Sequence, residues 1–377
     1  MELVQEYTQT EIGLIPSDWE IKSLGECLKI KHGKDQKSIE DKNGKYPILG
    51  TGGLMNYTNS YLYDKPTVLI GRKGTIDKPQ FMDTPFWTVD TLFYSEVSKN
   101  YSPKFLYYNF LLIDWYSYNE ASGVPSLNAK TIEKILIPVP TLEEQTLIAT
   151  ALSNADNWIT NLDNLLIKKR QIKQGALQEL LKPKESWEVK KLGNVGECII
   201  GLTYSPGNVV SEGKLVLRAS NVKENKLVYS DTVFVNVEVS EKLITRKGDI
   251  LICVRNGSRN LIGKCAYIDG RGVGETFGAF MSVFRSNYNA YIFQVFQSNI
   301  IKKQIEEHLG ATINQITNKS LNSFQIPFPT IKEQEYIVAI LSDMDAEIEQ
   351  LETKLEKAKK VKQGMMQELL TGKTRLV

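Results

Sequence analysis

The chain has 377 residues, 42% of them hydrophobic and 24% charged, with a formal net charge of +2. That length and balance suit two or three folded domains with substantial cores, and they exclude a disordered or collagen-like chain. The near-neutral charge leaves any nucleic-acid partner to local clustering, no apolar run approaches the roughly 18–20 residues of a membrane span, and Met1–Glu6 lacks the form of a signal peptide. In chain order, the first segment of clear character is Ser17-Asp18-Trp19-Glu20-Ile21-Lys22-Ser23-Leu24-Gly25, read as a domain start anchored by a buried tryptophan. Strand-like runs follow at Tyr46–Leu49, Thr67–Ile70 and Leu92–Tyr94, then an amphipathic helical stretch near Pro103–Tyr118. Pro138 and Pro140 stop that pattern, and Thr141 offers a helix N-cap with a glutamate close behind. Beyond it Ile148, Leu152, Ala155, Ile159, Leu162 and Leu166 recur at steps of four and three, the narrow seam of a coiled coil. From Glu143 to Leu181 this helix would run on the order of 55–60 Å, at about 1.5 Å per residue. Lys182-Pro183-Lys184-Glu185 closes it.

Then the chain starts again. Glu185-Ser186-Trp187-Glu188-Val189-Lys190-Lys191-Leu192-Gly193 repeats the first domain start at an offset of 168 residues (187 − 19). Strand-like runs at Lys214–Leu217, Asp249–Val254 and Phe280–Phe284 precede a helical stretch near Tyr291–Leu309. Ile326-Pro327-Phe328-Pro329-Thr330 repeats Ile137-Pro138-Val139-Pro140-Thr141 at an offset of 189 (326 − 137). The second seam, Ile337, Leu341, Met344, Ile348, Leu351, Leu355 and Ala358, keeps that offset. So does the helix end Lys362-Gln363-Gly364-Met365-Met366-Gln367-Glu368-Leu369-Leu370, which repeats Lys173-Gln174-Gly175-Ala176-Leu177-Gln178-Glu179-Leu180-Leu181. Gly372 closes the second helix. The second unit is therefore longer by 21 residues (189 − 168), all of them inside the unit. A period this long means two similar domains rather than a solenoid.

The expected division is a first domain at 1–141, a central helix at 142–182, a second domain at 183–330 and a C-terminal helix at 331–377. Each domain is read as α+β with a twisted, largely antiparallel sheet. The two matched seams most simply pair with each other as an antiparallel coiled coil, giving the chain pseudo-twofold symmetry. The alternative is that each helix packs only on its own domain. Lys173 and Lys362 fall where the seam wants an apolar residue, which reads as a shift of the apolar face near the helix ends toward another protein.

Basic and amide side chains gather in the loops. Gly71-Arg72-Lys73-Gly74-Thr75 is a glycine-bounded turn, and Lys29, Lys31, Lys34 and Lys37 surround His32 and Gln36. Arg255-Asn256-Gly257-Ser258-Arg259-Asn260 follows a strand and contains no acid. Arg and Lys can fork onto guanine, Asn and Gln onto adenine, and lysines onto phosphate. The candidate DNA contacts are thus Lys31, Lys34, Gln36, Arg72, Lys73, Thr75 and Lys78 in the first unit. In the second they are Arg218, Asn221, Arg255, Asn256, Ser258, Arg259 and Asn260. Arg72 and Arg255 are read as occupying equivalent turn starts. A solvated hairpin would carry similar residues, but recurrence in both units favours function.

Chemistry leaves no comparable trace. There is no Gly-x-Gly-x-x-Gly, Gly372-Lys373-Thr374 lacks the upstream glycine of a phosphate loop, and His32 and His308 have no ligand-like spacing. No Asp-Pro-Pro-Tyr or Asn-Pro-Pro-Tyr string occurs, and the acids around Trp19 and Trp187 are too close together for a nuclease core. Neither catalysis nor a cofactor or metal is expected. Cys27, Cys198, Cys253 and Cys265 form no CxxC pair and read as reduced, structural thiols in a cytoplasmic protein.

These features together resemble the specificity subunits of Type I restriction–modification systems. The likeness rests on the Trp-Glu-x-x-x-Leu-Gly starts at Trp19 and Trp187, the Ile-Pro-x-Pro-x-x-x-x-Gln helix entries and the Lys-Gln-Gly-x-x-Gln-Glu-Leu-Leu helix ends. It also rests on the two basic turns, with Phe86-Trp87-Thr88-Val89-Asp90-Thr91 and Phe277-Gly278-Ala279-Phe280-Met281 behind them. The resemblance spans nearly the whole chain. It implies two target-recognition domains, each reading one half of a split site in double-stranded DNA. It further implies helices that space them and bind modification subunits, two of them, which carry S-adenosylmethionine and methylate adenine; restriction subunits would join for ATP-dependent cleavage. A non-catalytic adaptor with two protein-binding domains is the competing reading, and it leaves the paired basic turns unexplained.

Overall fold

The computed structural model describes residues 6–309 and 314–376, so most of the Met1–Glu6 stretch lies outside the described residues. Contacts divide the chain into two compact units. One holds the residues up to Asn164 together with those from Thr353 onward, and the other is Leu165–Glu352.

The first unit is built on a four-stranded antiparallel sheet in the order Leu28–Lys31, Leu92–Val97, Thr67–Gly71, Gln80–Met82. Thr67–Gly71 is buried along its whole length because both faces are covered. Val68 and Ile70 point into the main core with Phe93, Phe105 and Trp115, while Leu69 points the other way onto Leu49, Phe86 and Leu92. A continuous apolar run is what a doubly covered strand needs. A second sheet pairs Tyr46–Gly50 antiparallel with Gly53–Thr58 and parallel with Trp87–Thr88. The helical stretch resolves into Pro103–Leu112 and a single 3₁₀ turn at Trp115–Tyr118.

The second unit repeats the four-stranded sheet strand for strand. Its four-stranded sheet runs Glu197–Ile200, Met281–Arg285, Ile250–Cys253, Cys265–Tyr267, again all antiparallel. Ile250 and Ile252 enter one core, Leu251 and Cys253 the other. Lys214–Leu217 pairs parallel with Thr276–Phe277, as Tyr46–Gly50 does with Trp87–Thr88. The single helix expected near Tyr291–Leu309 is two, Asn289–Phe296 and Asn299–His308, because the Ser298 hydroxyl caps the amide of Ile300 and starts a new helix. Matching registers locate the extra residues. Gly71 and Cys253 face Leu92 and Met281, so the offset is 182 there and 189 on the neighbouring strand of the sheet. The insertions therefore fall on either side of the central strand. The first includes the hairpin Val222–Lys223/Lys226–Leu227, whose Glu224 and Asn225 take left-handed φ of 50° and 62°.

Two 39-residue helices, Leu142–Leu180 and Ile331–Leu369, follow the Pro-x-Pro segments. Thr141 and Thr330 accept hydrogen bonds from the amides of Glu144 and Glu333, and Gln145 and Gln334 donate to the carbonyls of Pro140 and Pro329. The buried Trp19 and Trp187 indoles donate to Glu144 and Glu333, both at 3.1 Å. In the first unit Arg375 closes this corner, reaching Glu144 at 2.6 and 2.7 Å and Asp18 at 2.8 and 2.9 Å. In the second, Lys184 meets Glu333 at 3.2 Å.

Within each unit the two half-helices run in opposite directions. Lys362 meets Asp156 in the first unit; Lys169 meets Glu347 and Lys173 meets Asp345 in the second. The seam residues Ile148, Leu152, Leu162, Leu166, Ile337, Leu341, Ile348 and Leu355 are buried, and Ile159, Met344 and Leu351 partly so. Ile148 and Leu152 belong to the first domain core, and Ile337 and Leu341 to the second, so packing on the parent domain accounts for the helix entries. The irregular Lys173 and Lys362 do not mark a shifted apolar face. Each is largely covered and neutralised by an aspartate, because a lysine in a seam needs a counter-charge.

The four cysteines are free, and burial pushes the Cys27 thiol up to about 11 and the Cys265 thiol to about 12. Among the described residues no group of histidine, cysteine or acidic side chains could hold a metal ion, and no helix is long and apolar enough to cross a membrane.

Candidate nucleic-acid interface

In each unit the loops at one end of the four-stranded sheet are tied together by the same backbone hydrogen bonds. The amides of Arg72 and Lys73 both donate to the Thr91 carbonyl; those of Val254 and Arg255 both donate to Phe280. Leu127 donates to the Arg72 carbonyl as Ile316 does to that of Val254, and Gly74 donates to Pro125 as Asn256 does to Asn314. Val89 donates to Leu49 as Gly278 does to Leu217, and Lys34 donates to Thr88 as Leu202 does to Phe277. At the last of these approaches a Cβ on Gly33 would lie 2.0 Å from the Val89 carbonyl, and one on Gly201 would lie 2.2 Å from that of Gly278, so only glycine fits.

This frame corrects the expected equivalence of Arg72 and Arg255. By hydrogen-bond register Arg72 matches the buried Val254, and the counterpart of Arg255 is Lys73. The sequence offset of the central strand, 182 rather than 189, hides this when only the flanking repeats are aligned. Arg72 is half-buried and its guanidinium donates to the Asp90 carbonyl at 3.2 Å, a loop-bracing contact. Lys73 is exposed.

The other candidates separate into groups. Arg72 and Lys73 line a cleft of about 800 Å³ in the first unit with His32, Glu120 and Lys130. Lys34 and Lys78 are exposed, and Gln36 and Thr75 half-exposed, on neighbouring loops. Lys31 stands apart on its strand, with its ammonium 3.1 Å from Glu96. In the second unit Arg218, Arg255 and Asn256 line one cleft of about 470 Å³ with Tyr204 and Phe280. Ser258 is exposed in the following turn, while Arg259 and Asn260 line a different cleft with Gly263, Ile305 and Leu309. Asn221 is withdrawn entirely. It is fully buried, its amide donates to the carbonyls of Val228 and Asp231, and its oxygen accepts from the Arg218 amide, so it shapes the loop from inside.

The reading of the residues missed Phe280. Its ring is 55% exposed and carries the Arg255 guanidinium 5.0 Å from its centroid. In the sequence it opens the strand-like run Phe280–Phe284, and the available signal is an aromatic close to an acid-free basic turn. Arg218, 2.9 Å from Asp231, shares that cleft. The arrangement presents planar donors and an open ring.

The family described as Type I restriction modification DNA specificity domain matches this chain twice, over residues 16–173 and 184–360. The MjaVIII specificity subunit of Methanocaldococcus jannaschii, a type I restriction enzyme component, is 26% identical over 96% of this chain and 94% of that one. The putative MjaX specificity subunit of the same organism is 26% identical over 99% and 97%. The crystal structure of the type I restriction–modification S subunit from M. genitalium superposes with a TM-score of 0.63 at 16% identity, covering 98% of this chain and 99% of that one. With two copies of the specificity domain covering most of its length, the chain belongs to the Type I restriction–modification specificity family.

Proposed function

We propose that each unit reads one half of a bipartite site in double-stranded DNA through the loop rim at the end of its four-stranded sheet. The observation that carries this reading is the shared hydrogen-bonded frame, which holds exposed cations at one edge of both units. Base edges are read by forked or stacked donors and phosphates by lysines, and both kinds of group occur there. Lys73 and Arg255 are the leading base contacts, with Lys34 and Lys78 on phosphate. Arg72 and Asn221 hold the loops.

The two long helices act as the spacer for the domains, bounded near 1–141 and 183–330. Their symmetric repeats dock two modification subunits in the cytoplasm, with restriction subunits joining the same assembly. A two-headed reader of this kind faces half-sites about one DNA turn apart, roughly 34–36 Å. Assembly with modification subunits followed by methylation-site sequencing tests the reading. The expected result is a two-part motif with an unread spacer; a continuous motif, or methylation without sequence preference, would overturn it.

A further inference from the structure

We propose that the difference between the two half-sites is written at three matched rim positions: Gly50 with Arg218, Lys73 with Arg255, and Thr91 with Phe280. This rests on the reading above that each unit reads one half-site. At these positions the backbone is pinned identically. The carbonyls of Thr91 and Phe280 each accept two amides from the facing turn, and the residues before Gly50 and Arg218 each accept from the loop behind. The side chains nevertheless differ in kind. One position has no side chain or a guanidinium, one an ammonium or a guanidinium, one a hydroxyl or a phenyl ring.

In the second unit the three act as a set. The Phe280 ring lies under the Arg255 guanidinium, and Arg218 lines the same cleft. A guanidinium held over a ring loses less freedom on binding, and its fork fits guanine O6 and N7. In the first unit Lys73 has threonine where that ring would be, and a glycine replaces the second arginine. A lysine is a rotating point charge, so its base contact is less selective. The second half-site should therefore contain a guanine position whose counterpart in the first half-site is read with less discrimination.

The test transfers the set between units in the complex with modification subunits, with methylation-site sequencing as readout. Lys73→Arg with Thr91→Phe should raise guanine preference at one position of the first half-site by about tenfold and leave the second half-site unchanged. Arg255→Lys with Phe280→Thr should lower discrimination at one position of the second half-site by about the same factor. That second variant only trims exposed groups, so it carries the test if the first does not fold. Unchanged preferences in the trimmed variant, with wild type still reading its two-part site, would overturn the assignment. A wild-type complex with no sequence preference would sink the underlying reading, and this one with it.

Discussion

Lys173 Nζ lies 2.5 Å from Asp345 Oδ1, and the residues 189 positions away from each, Lys362 and Asp156, make the same contact at 2.5 Å in the other unit. The third partner is matched as well. Gln297 accepts from Lys173 at 3.0 Å, and its counterpart Tyr108 lies under Lys362, 5.6 Å from ring centroid to Nζ. Only 14% and 19% of the lysine side chains are exposed, so each aspartate answers a charge that water reaches poorly. Asp345→Asn should destabilise the second unit by about 1–2 kcal/mol, discounted because the aspartate itself is partly solvated. Exchanging the pair, Lys173→Asp with Asp345→Lys, should recover at least half of that loss in urea unfolding. If Asp345→Asn is neutral, the seam lysines are not held as described.

Acid should act through the tryptophan corners. The Trp187 indole and the Lys184 ammonium hold the Glu333 carboxyl at about 2, against an ordinary 4.5. Arg375 holds Asp18 below its ordinary value in the same way. A depressed carboxylate contributes stability that is complete above about pH 4.5 and is lost as the pH falls toward 2. Wild type should therefore lose more stability between pH 5 and pH 3 than Glu333→Gln does, with Trp187 fluorescence changing over the same range. Parallel pH profiles for the two proteins would rule out this contribution.

Arg72 should behave as a loop brace. Replacing it with alanine removes the hydrogen bond to the Asp90 carbonyl and should cost about 1 kcal/mol, or roughly 2–4 °C in Tm. Sequence preference should stay as in wild type. A relaxed base position in Arg72→Ala would return this residue to the reading surface and undo the register argument.

Salt titration should distinguish the lysines. Lys34→Ala and Lys78→Ala should weaken binding to matched and mismatched DNA alike, and each should flatten the dependence of log K on log salt by about one counterion. Lys31→Ala, whose ammonium is already paired with Glu96, should leave that slope nearly unchanged. A full unit of change in the slope for Lys31→Ala would show that the ion pair opens on binding.

The spacer helices can be lengthened. Matched seven-residue insertions after Asn164 and after Glu352 add about 10 Å at 1.5 Å per residue, close to three base pairs. The unread spacer should widen while both half-sites persist. An unaltered spacer would reject the helices as the ruler.

Much of this is legible in the sequence. Two domain starts, two helix entries and two seams are local patterns, and their repetition at fixed offsets is a property of the string alone. Trp19, Trp187, Thr141, Thr330 and the buried seam residues follow from periodicity, capping and the burial of large apolar groups, each decided within a few turns of chain. The rim was different. Arg72 and Arg255 look equivalent in sequence because both follow a buried strand, yet backbone hydrogen bonds to Thr91 and Phe280, about 20 positions away in the chain, pair Arg255 with Lys73. Asn221 looks like a surface amide until three backbone partners draw it inside, and Lys173 and Lys362 look like seam defects until the opposing helix supplies an aspartate. Local pattern specifies which segments fold and how they repeat, because its signal depends on near neighbours. Which side chains are left to face a partner depends on contacts between distant segments, and only the tertiary structure decides those.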